Sequence, residues 1–180
     1  MKWRTVILGL IAMSLALSLF ADPVKAPAGS NFGKETIEAI DGAGLIKLNG
    51  TTVDKEVHVI GSLIAQNGHI GSIDVIGEVN LTGTTIKQGG YIMGSFQATR
   101  SKIQEHLTIL SQKAVLTNSQ LSNLTIKKDG AYKGKQTVEL RGGTIVDGAI
   151  HFESGKGEVL IFPGSQVLGP VTGGQVIKKY

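Results

Sequence analysis

The acidic side chains in the body of the chain are the first residues whose chemistry could be catalytic. A glycoside hydrolase needs two carboxylates across one cleft, about 5–10 Å apart. The candidates are spread along the chain: Asp54, Glu56, Asp74, Glu78 and Glu105. They occupy different positions of the repeat described below, so no two of them are expected to face each other. We therefore predict that they are solvated surface groups.

Other arrangements that support catalysis or metal binding are also weak. A polysaccharide lyase would combine calcium-binding aspartates with a base. Arg100 and Lys102 lie near Glu105, and Arg141 lies near Asp147, but no aspartate cluster accompanies either group, so surface ion pairs are expected. The histidines lack HxH or HExxH spacing: His58, His69, His106 and His151. We therefore expect no metal ion and no cofactor.

Nucleophiles are equally unsupported. The chain has no cysteine, which excludes disulfides, thiolate metal sites and a cysteine nucleophile. No G-x-S-x-G motif is present to form a serine nucleophile elbow. The frequent Ser and Thr residues, as in Thr51-Thr52 and Thr84-Thr85, are expected to form outward hydrogen-bonded ladders.

One basic segment is distinctive, because residues 127–136 contain four lysines and no apolar pattern. These lysines are Lys127, Lys128, Lys133 and Lys135. We predict a loop that protrudes between regular segments. Its charge would attract an acidic glycan or another cell-envelope polymer, although an ordinary solvated loop has the same composition.

The N-terminus has the pattern of an export signal. Lys2 and Arg4 precede an uncharged apolar run that ends before Asp22. We interpret residues 1–21 as a secretory signal peptide cleaved after Ala21, with an uncleaved membrane anchor as the alternative. The mature chain is then periplasmic, secreted or on the cell surface, and it contacts a membrane only through this segment before cleavage.

Composition argues against a nucleic-acid partner. The chain carries 18 Lys and Arg against 14 Asp and Glu, a formal charge of +4, and two of those basic residues belong to the signal segment. Aromatic residues make up only 5% of the chain, so a base-stacking surface is not expected.

The body of the chain is a repeat of about 17 residues. Apolar residues recur in columns, and three such columns run through the chain. The first contains Val59, Val75, Ile92, Ile109 and Ile126. The second contains Leu48, Ala65, Leu81, Ala98 and Val115. The third contains Val53, Ile70, Ile86, Ile103 and Leu121.

Short alternating apolar and polar runs between Gly, Asn, Ser and Thr indicate strands of three to five residues. A single repeat of about 17 residues does not bury its own apolar side chains, whereas stacked repeats bury them against one another. Three columns per pass predict an all-β, single-stranded parallel β-helix with three-sided coils. A six-residue spacing of Ile64, Ile70 and Ile76 would suggest a hexapeptide acyltransferase helix, but it does not continue.

The domain organisation follows from this pattern. We predict a signal peptide at residues 1–21, a flexible lead-in or N-terminal cap at 22–41, and the β-helix at 42–177. The helix contains the loop insertion at 127–136 and ends in a polar tail at 178–180.

The rungs of pattern V-x-G-x-[VLF]-x-[AL] within residues 59–115 resemble those of the bactofilin family, as does the segment 164–174. The likeness covers roughly residues 45–177. It implies a right-handed three-sided β-helix with no catalytic site that assembles end to end without a nucleotide. The export signal departs from the family, whose members mostly face the cytoplasm.

Three functions remain open from the sequence. The first is an exported, non-enzymatic structural or assembly protein that associates with itself through its end coils. The second is a cell-surface or periplasmic module that binds a glycan or another polymer. The third is a polysaccharide-active β-helix enzyme, which lacks a convergent polar cluster.

Overall fold

The computed structural model describes residues 22–180, and the predicted signal peptide at 1–21 lies outside them. The described residues contain no helix. They form eighteen strands: β1 Val24–Ala26, β2 Asn31–Phe32, β3 Thr36–Ile37, β4 Ile40–Asn49, β5 Thr52–Gln66, β6 His69–Thr82, β7 Thr85–Ile86, β8 Gly90–Thr99, β9 Lys102–Leu110, β10 Lys113–Thr117, β11 Gln120–Ile126, β12 Thr137–Arg141, β13 Ile145–Val146, β14 Ile150–Phe152, β15 Gly157–Ile161, β16 Gln166–Val167, β17 Val171–Thr172 and β18 Gly174–Lys178.

The strands of successive coils pair in parallel, and those of the first and last described coils pair with one neighbouring coil only. Coils of about 17 residues stack into a β-solenoid of about 9 turns. This arrangement confirms the predicted fold class. The longer strands, such as β5 and β6, run round a corner and contribute to two faces of the coil.

The first predicted column is confirmed over its whole length. Val59 lies opposite Val75, and the row continues in register through the later coils: Ile92, Ile109 and Ile126. All five side chains are buried. The third column likewise forms one buried row, from Val53 to Leu121.

The second column is correct through Ala98 and wrong at Val115. Ala98 lies opposite Leu116, whereas Val115 lies opposite Gln97 on the outer surface. The turn between β9 and β10 makes the step from Ala98 to Leu116 one residue longer than the step from Leu81 to Ala98. Because side chains alternate along a strand, a shift of one position turns Val115 outward and Leu116 inward.

The Ser and Thr residues at one corner face inward, contrary to the prediction of outward ladders. Thr84, Ser101, Ser119 and Thr144 are all buried. The Ser101 hydroxyl accepts the backbone N–H of Thr84, and the Ser119 hydroxyl accepts that of Ser101, at 3.2 and 3.1 Å. Each hydroxyl also donates to a carbonyl, so the corner hydrogen bonds are satisfied without water.

Residues 22–41, for which we predicted a flexible lead-in or cap, form the first coil of the solenoid. Val24 pairs with Ile40, Phe32 with Leu48, and Ile37 with Val53. The short strands β1 to β3 give a weak alternation signal, which is why the repeat is recognisable in sequence only from about position 42. At the other end β18 extends to Lys178.

The coils lengthen after Ile126. No strand is present between Ile126 and Thr137, the interval for which we predicted a loop insertion. Ile126 lies opposite Phe152, and this step along the chain is clearly longer than the step from Ile109 to Ile126. The core nevertheless remains continuous, since Val138, Leu140 and Phe152 are fully buried.

Stacked glycines form a second corner at which the backbones approach closely. Gly61, Gly77 and Gly94 have φ values of 140°, 141° and 137°. A Cβ at Gly77 would lie 1.8 Å from the carbonyl oxygen of Gly61. Both the conformation and the contact therefore require glycine at this corner.

We predict that Gly77→Ala lowers the free energy of unfolding by about 3 kcal/mol or more, because the backbones must separate and φ becomes strained. Gly33→Ala is the control, since a Cβ there meets nothing within 4 Å. It should change stability by less than about 0.5 kcal/mol. Chemical denaturation of the two variants measures the difference, and equal effects would contradict the corner's role.

Candidate functional site

The carboxylates named from sequence do not form a pair. Glu56 lies opposite Ser72, and Glu78 lies opposite Ser62 and Ser95 on the neighbouring coils. Among residues 22–180, no group of three or more His, Asp or Glu side chains is arranged to hold a metal ion. Neither Glu56 nor Glu78 therefore lies opposite another carboxylate on a neighbouring coil.

An outward polar row that the sequence reasoning missed crosses the early coils. Asp41, His58 and Asp74 occupy equivalent positions on three successive coils. His58 Nδ1 lies 3.2 Å from Asp74 Oδ2, and Asp41 pairs with Lys25. The hydrogen bond from Lys25 lowers the pKa of Asp41 below its ordinary value. The spacing of the three positions, which matches the period of the apolar columns, is the sequence signal for this row.

This row does not have the arrangement of a glycosidase. Two strand spacings separate Asp41 from Asp74, or about 9.6 Å, which is close to the carboxylate separation of inverting enzymes. The His58 side chain occupies the interval between them, and it hydrogen-bonds one of the two carboxylates. A sugar ring therefore has no space between the two acids.

The four loop lysines divide into two classes. Lys127 pairs with Glu153 at 2.9 Å, and Lys135 pairs with Glu158. The hydrogen bond from Lys127 lowers the pKa of Glu153, and the hydrogen bond from Lys135 lowers that of Glu158. Lys128 and Lys133 make no ion pair with the described residues, although Lys133 Nζ donates to the Gly130 carbonyl at 3.5 Å. Their charges are therefore the two of this set that no described carboxylate neutralises.

A buried carboxylate lies on the outer face of β12. The Glu139 side chain is only 9% exposed and bridges Lys113 at 2.7 Å and Arg141 at 2.6 Å. The Arg141 guanidinium also stacks over the Phe162 ring at 4.8 Å. Burial opposes ionisation of Glu139, but the hydrogen bonds and charges of Lys113 and Arg141 outweigh it and lower its pKa.

Apolar side chains that are exposed or, at Leu110, half-buried form a side ridge along the solenoid, next to the glycine corner. The ridge consists of Ala43, Ile60, Ile76, Met93 and Leu110, one from each of five coils. Ile60 is 55% exposed and Ile76 is 42% exposed. A row of this kind is a candidate contact surface.

The second apolar surface is the C-terminal end of the solenoid. Val176 is 46% exposed although its neighbour in the preceding coil, Val159, is fully buried. Val167 and Val171 are likewise only partly buried. These side chains point into the same interior as the core columns, but among the described residues no further coil covers them.

Comparisons of the chain with protein-family models, curated proteins and solved structures give no match. Within residues 22–180 there is also no helix long and apolar enough to cross a membrane.

The Glu139 cluster gives a prediction for pH dependence. Because the folded-state pKa of Glu139 is below its ordinary value of 4.5, its ionised form stabilises the fold above that value. This contribution is lost as the pH falls through the lowered pKa. We expect Glu139→Gln to have a lower free energy of unfolding than the natural chain at pH 7. The difference in free energy of unfolding between the two should become smaller towards pH 3.

Denaturant midpoints at several pH values measure this gap. Glu105→Gln is the matched control, since Glu105 is exposed. It should show little difference from the natural chain at either pH. A gap for Glu139→Gln that stays constant down to pH 3 would argue against the assignment.

Proposed function

We propose that the protein is an exported, non-enzymatic assembly module whose copies stack head to tail through the ends of the solenoid. The observation that carries this proposal is the last coil, where the inward columns continue without a following coil among the described residues.

The strands at the C-terminal end offer free edges. β17 and β18 each pair with one strand of the preceding coil, and no described strand pairs with their other edge. An exposed edge of this kind is a template for another chain. Covering Val176 and Val171 would also remove apolar surface from water, at about 25 cal/mol per Å².

The N-terminal end presents strands of the same columns. β1 carries Val24, which is 41% exposed although it is opposite the buried Ile40. β1 is the first strand of the stack of paired strands that ends with β17. β2 is the first strand of the stack that ends with β18. A second copy placed head to tail would therefore continue both columns with parallel strands, as do the successive coils of the described chain.

One charged side chain at the C-terminal end opposes head-to-tail stacking. Lys178 lies in the inward column, in register with Leu140 and Ile161. Inward-pointing charges on edge strands reduce pairing with other chains. The C-terminal end thus combines an apolar contact surface with one unfavourable group, which favours reversible stacking.

We expect the purified protein to form concentration-dependent linear assemblies, visible by electron microscopy and measured by sedimentation. Val171→Lys with Val176→Lys should abolish them, because two charges would be buried at the junction. Ile60→Lys with Met93→Lys on the side ridge is the control with the same charge change, and assembly should persist. Loss of assembly in the ridge variant alone would show lateral contacts and refute end-to-end stacking.

Lys178→Leu should act in the opposite direction. Removing the inward charge should lower the concentration needed for assembly, by about tenfold if one modestly desolvated charge is relieved. Sedimentation of the variant beside the natural chain measures this concentration. An unchanged or raised value would count against the C-terminal end as the contact.

The export part of the proposal rests on the sequence of residues 1–21. Expressed in a bacterium with an outer membrane, the chain should be recovered outside the cytoplasm with Asp22 as its first residue. N-terminal sequencing and cell fractionation test this. Intact protein in the cytoplasm would contradict export, and an intact membrane-bound form would favour the anchor.

A further inference from the structure

A small pocket lies between the 127–136 loop and the turn that follows β14. Its volume is about 210 Å³, and it is lined from both sides by loop residues and by Ser154 and Lys156. Pockets for drug-sized ligands are roughly 300–1,000 Å³. This pocket therefore suits a smaller ligand, such as one sugar residue.

The charge of the pocket is positive. Lys128, Lys133 and Lys156 line it, and none of them makes an ion pair with the described residues. Asp129 is the acid among the described lining residues, but its Oδ1 already accepts the backbone N–H groups of Ala131 and Tyr132. Lys133 Nζ donates to the Gly130 carbonyl at 3.5 Å and keeps further hydrogens. The three ammonium groups outweigh the single charge of Asp129 and would bind an anionic group by charge-assisted hydrogen bonds.

A buried amide supplies the second observation. Gln136 lines the pocket and is 2% exposed. Its Nε2 donates to the carbonyls of Ser111 and Lys127, at 2.9 and 2.7 Å, which fixes the orientation of the amide. Its Oε1 is buried without a hydrogen-bond partner. A buried acceptor of this kind is unfavourable unless a donor reaches it.

We infer that this pocket binds one residue of an acidic carbohydrate. The carboxylate of a uronic acid or the phosphate of a sugar phosphate would contact the lysines. A sugar hydroxyl would donate to Gln136 Oε1, which is covered in the unliganded chain and becomes accessible when a lining side chain moves aside. The Ser154 hydroxyl, which accepts the backbone N–H of Lys156, retains its own hydrogen for a ligand oxygen. This site is separate from the solenoid ends and independent of their association.

Calorimetric titration of the purified protein tests the ligand class. D-glucuronate and glucose 6-phosphate should bind, with affinity that falls as salt is raised. Glucose lacks the charge and should not bind measurably. Acetate and sulfate lack a donor for Gln136, and they should bind at least about tenfold more weakly. Comparison of the affinities of the two acidic sugars shows whether the pocket prefers a carboxylate or a phosphate.

Two outcomes would overturn the inference. If acetate or sulfate binds as tightly as the acidic sugars, the pocket is a simple anion site. If neither acidic sugar binds, the unpaired lysines and the Gln136 carbonyl do not form a ligand site.

Charge-matched variants locate the site. Lys128→Ser, Lys133→Ser and Lys156→Ser together should weaken binding of the acidic sugar at least about tenfold. The control combines Lys47→Ser, Lys87→Ser and Lys102→Ser, three exposed lysines on other parts of the solenoid. It removes the same charge and should change affinity by less than about twofold. Equal losses in both variants would mean non-specific attraction and would contradict the pocket.

Discussion

The apolar core of this protein exists only because successive coils stack in parallel register. One coil of short strands does not bury its own apolar side chains, so its inward residues are buried only when the next coil places similar residues directly above them. The row from Val59 to Ile126 meets this condition without interruption. Where the step lengthens by a single position before β10, the identity of the inward residue changes from Val115 to Leu116.

The same constraint determines what happens at the corners and ends. At the corners the coils approach so closely that only Gly77 and its stacked neighbours fit, or a buried hydroxyl such as that of Ser101 must bridge the backbones. At the two ends of the described solenoid, the inward residues have no further coil to cover them. Val24 and Val176 have the inward position of core residues but the exposure of surface residues. The features proposed for assembly are thus extensions of the core.

The pocket that we propose as a ligand site lies where the repeat is interrupted. The regular faces carry outward rows, such as Asp41, His58 and Asp74, whose groups satisfy one another on a flat sheet. The 127–136 insertion instead encloses a pocket and buries the polar side chain of Gln136. Lysine content alone identified this loop, but it did not separate Lys127, which is paired with an acid of the next coil beyond the insertion, from Lys128, which is not.

The fold class, the period and two of the three core columns could be predicted from the amino-acid order alone, because coil-to-coil stacking imposes a repeat that is visible in one dimension. The loop insertion could be predicted as well, because the repeat stops there. The folded chain was needed to show which acid neutralises which lysine, that Ser101 faces inward, and that Glu139 is buried on the outer face. These outcomes depend on contacts between neighbouring coils, where a change of one position in a turn reverses the direction of a side chain.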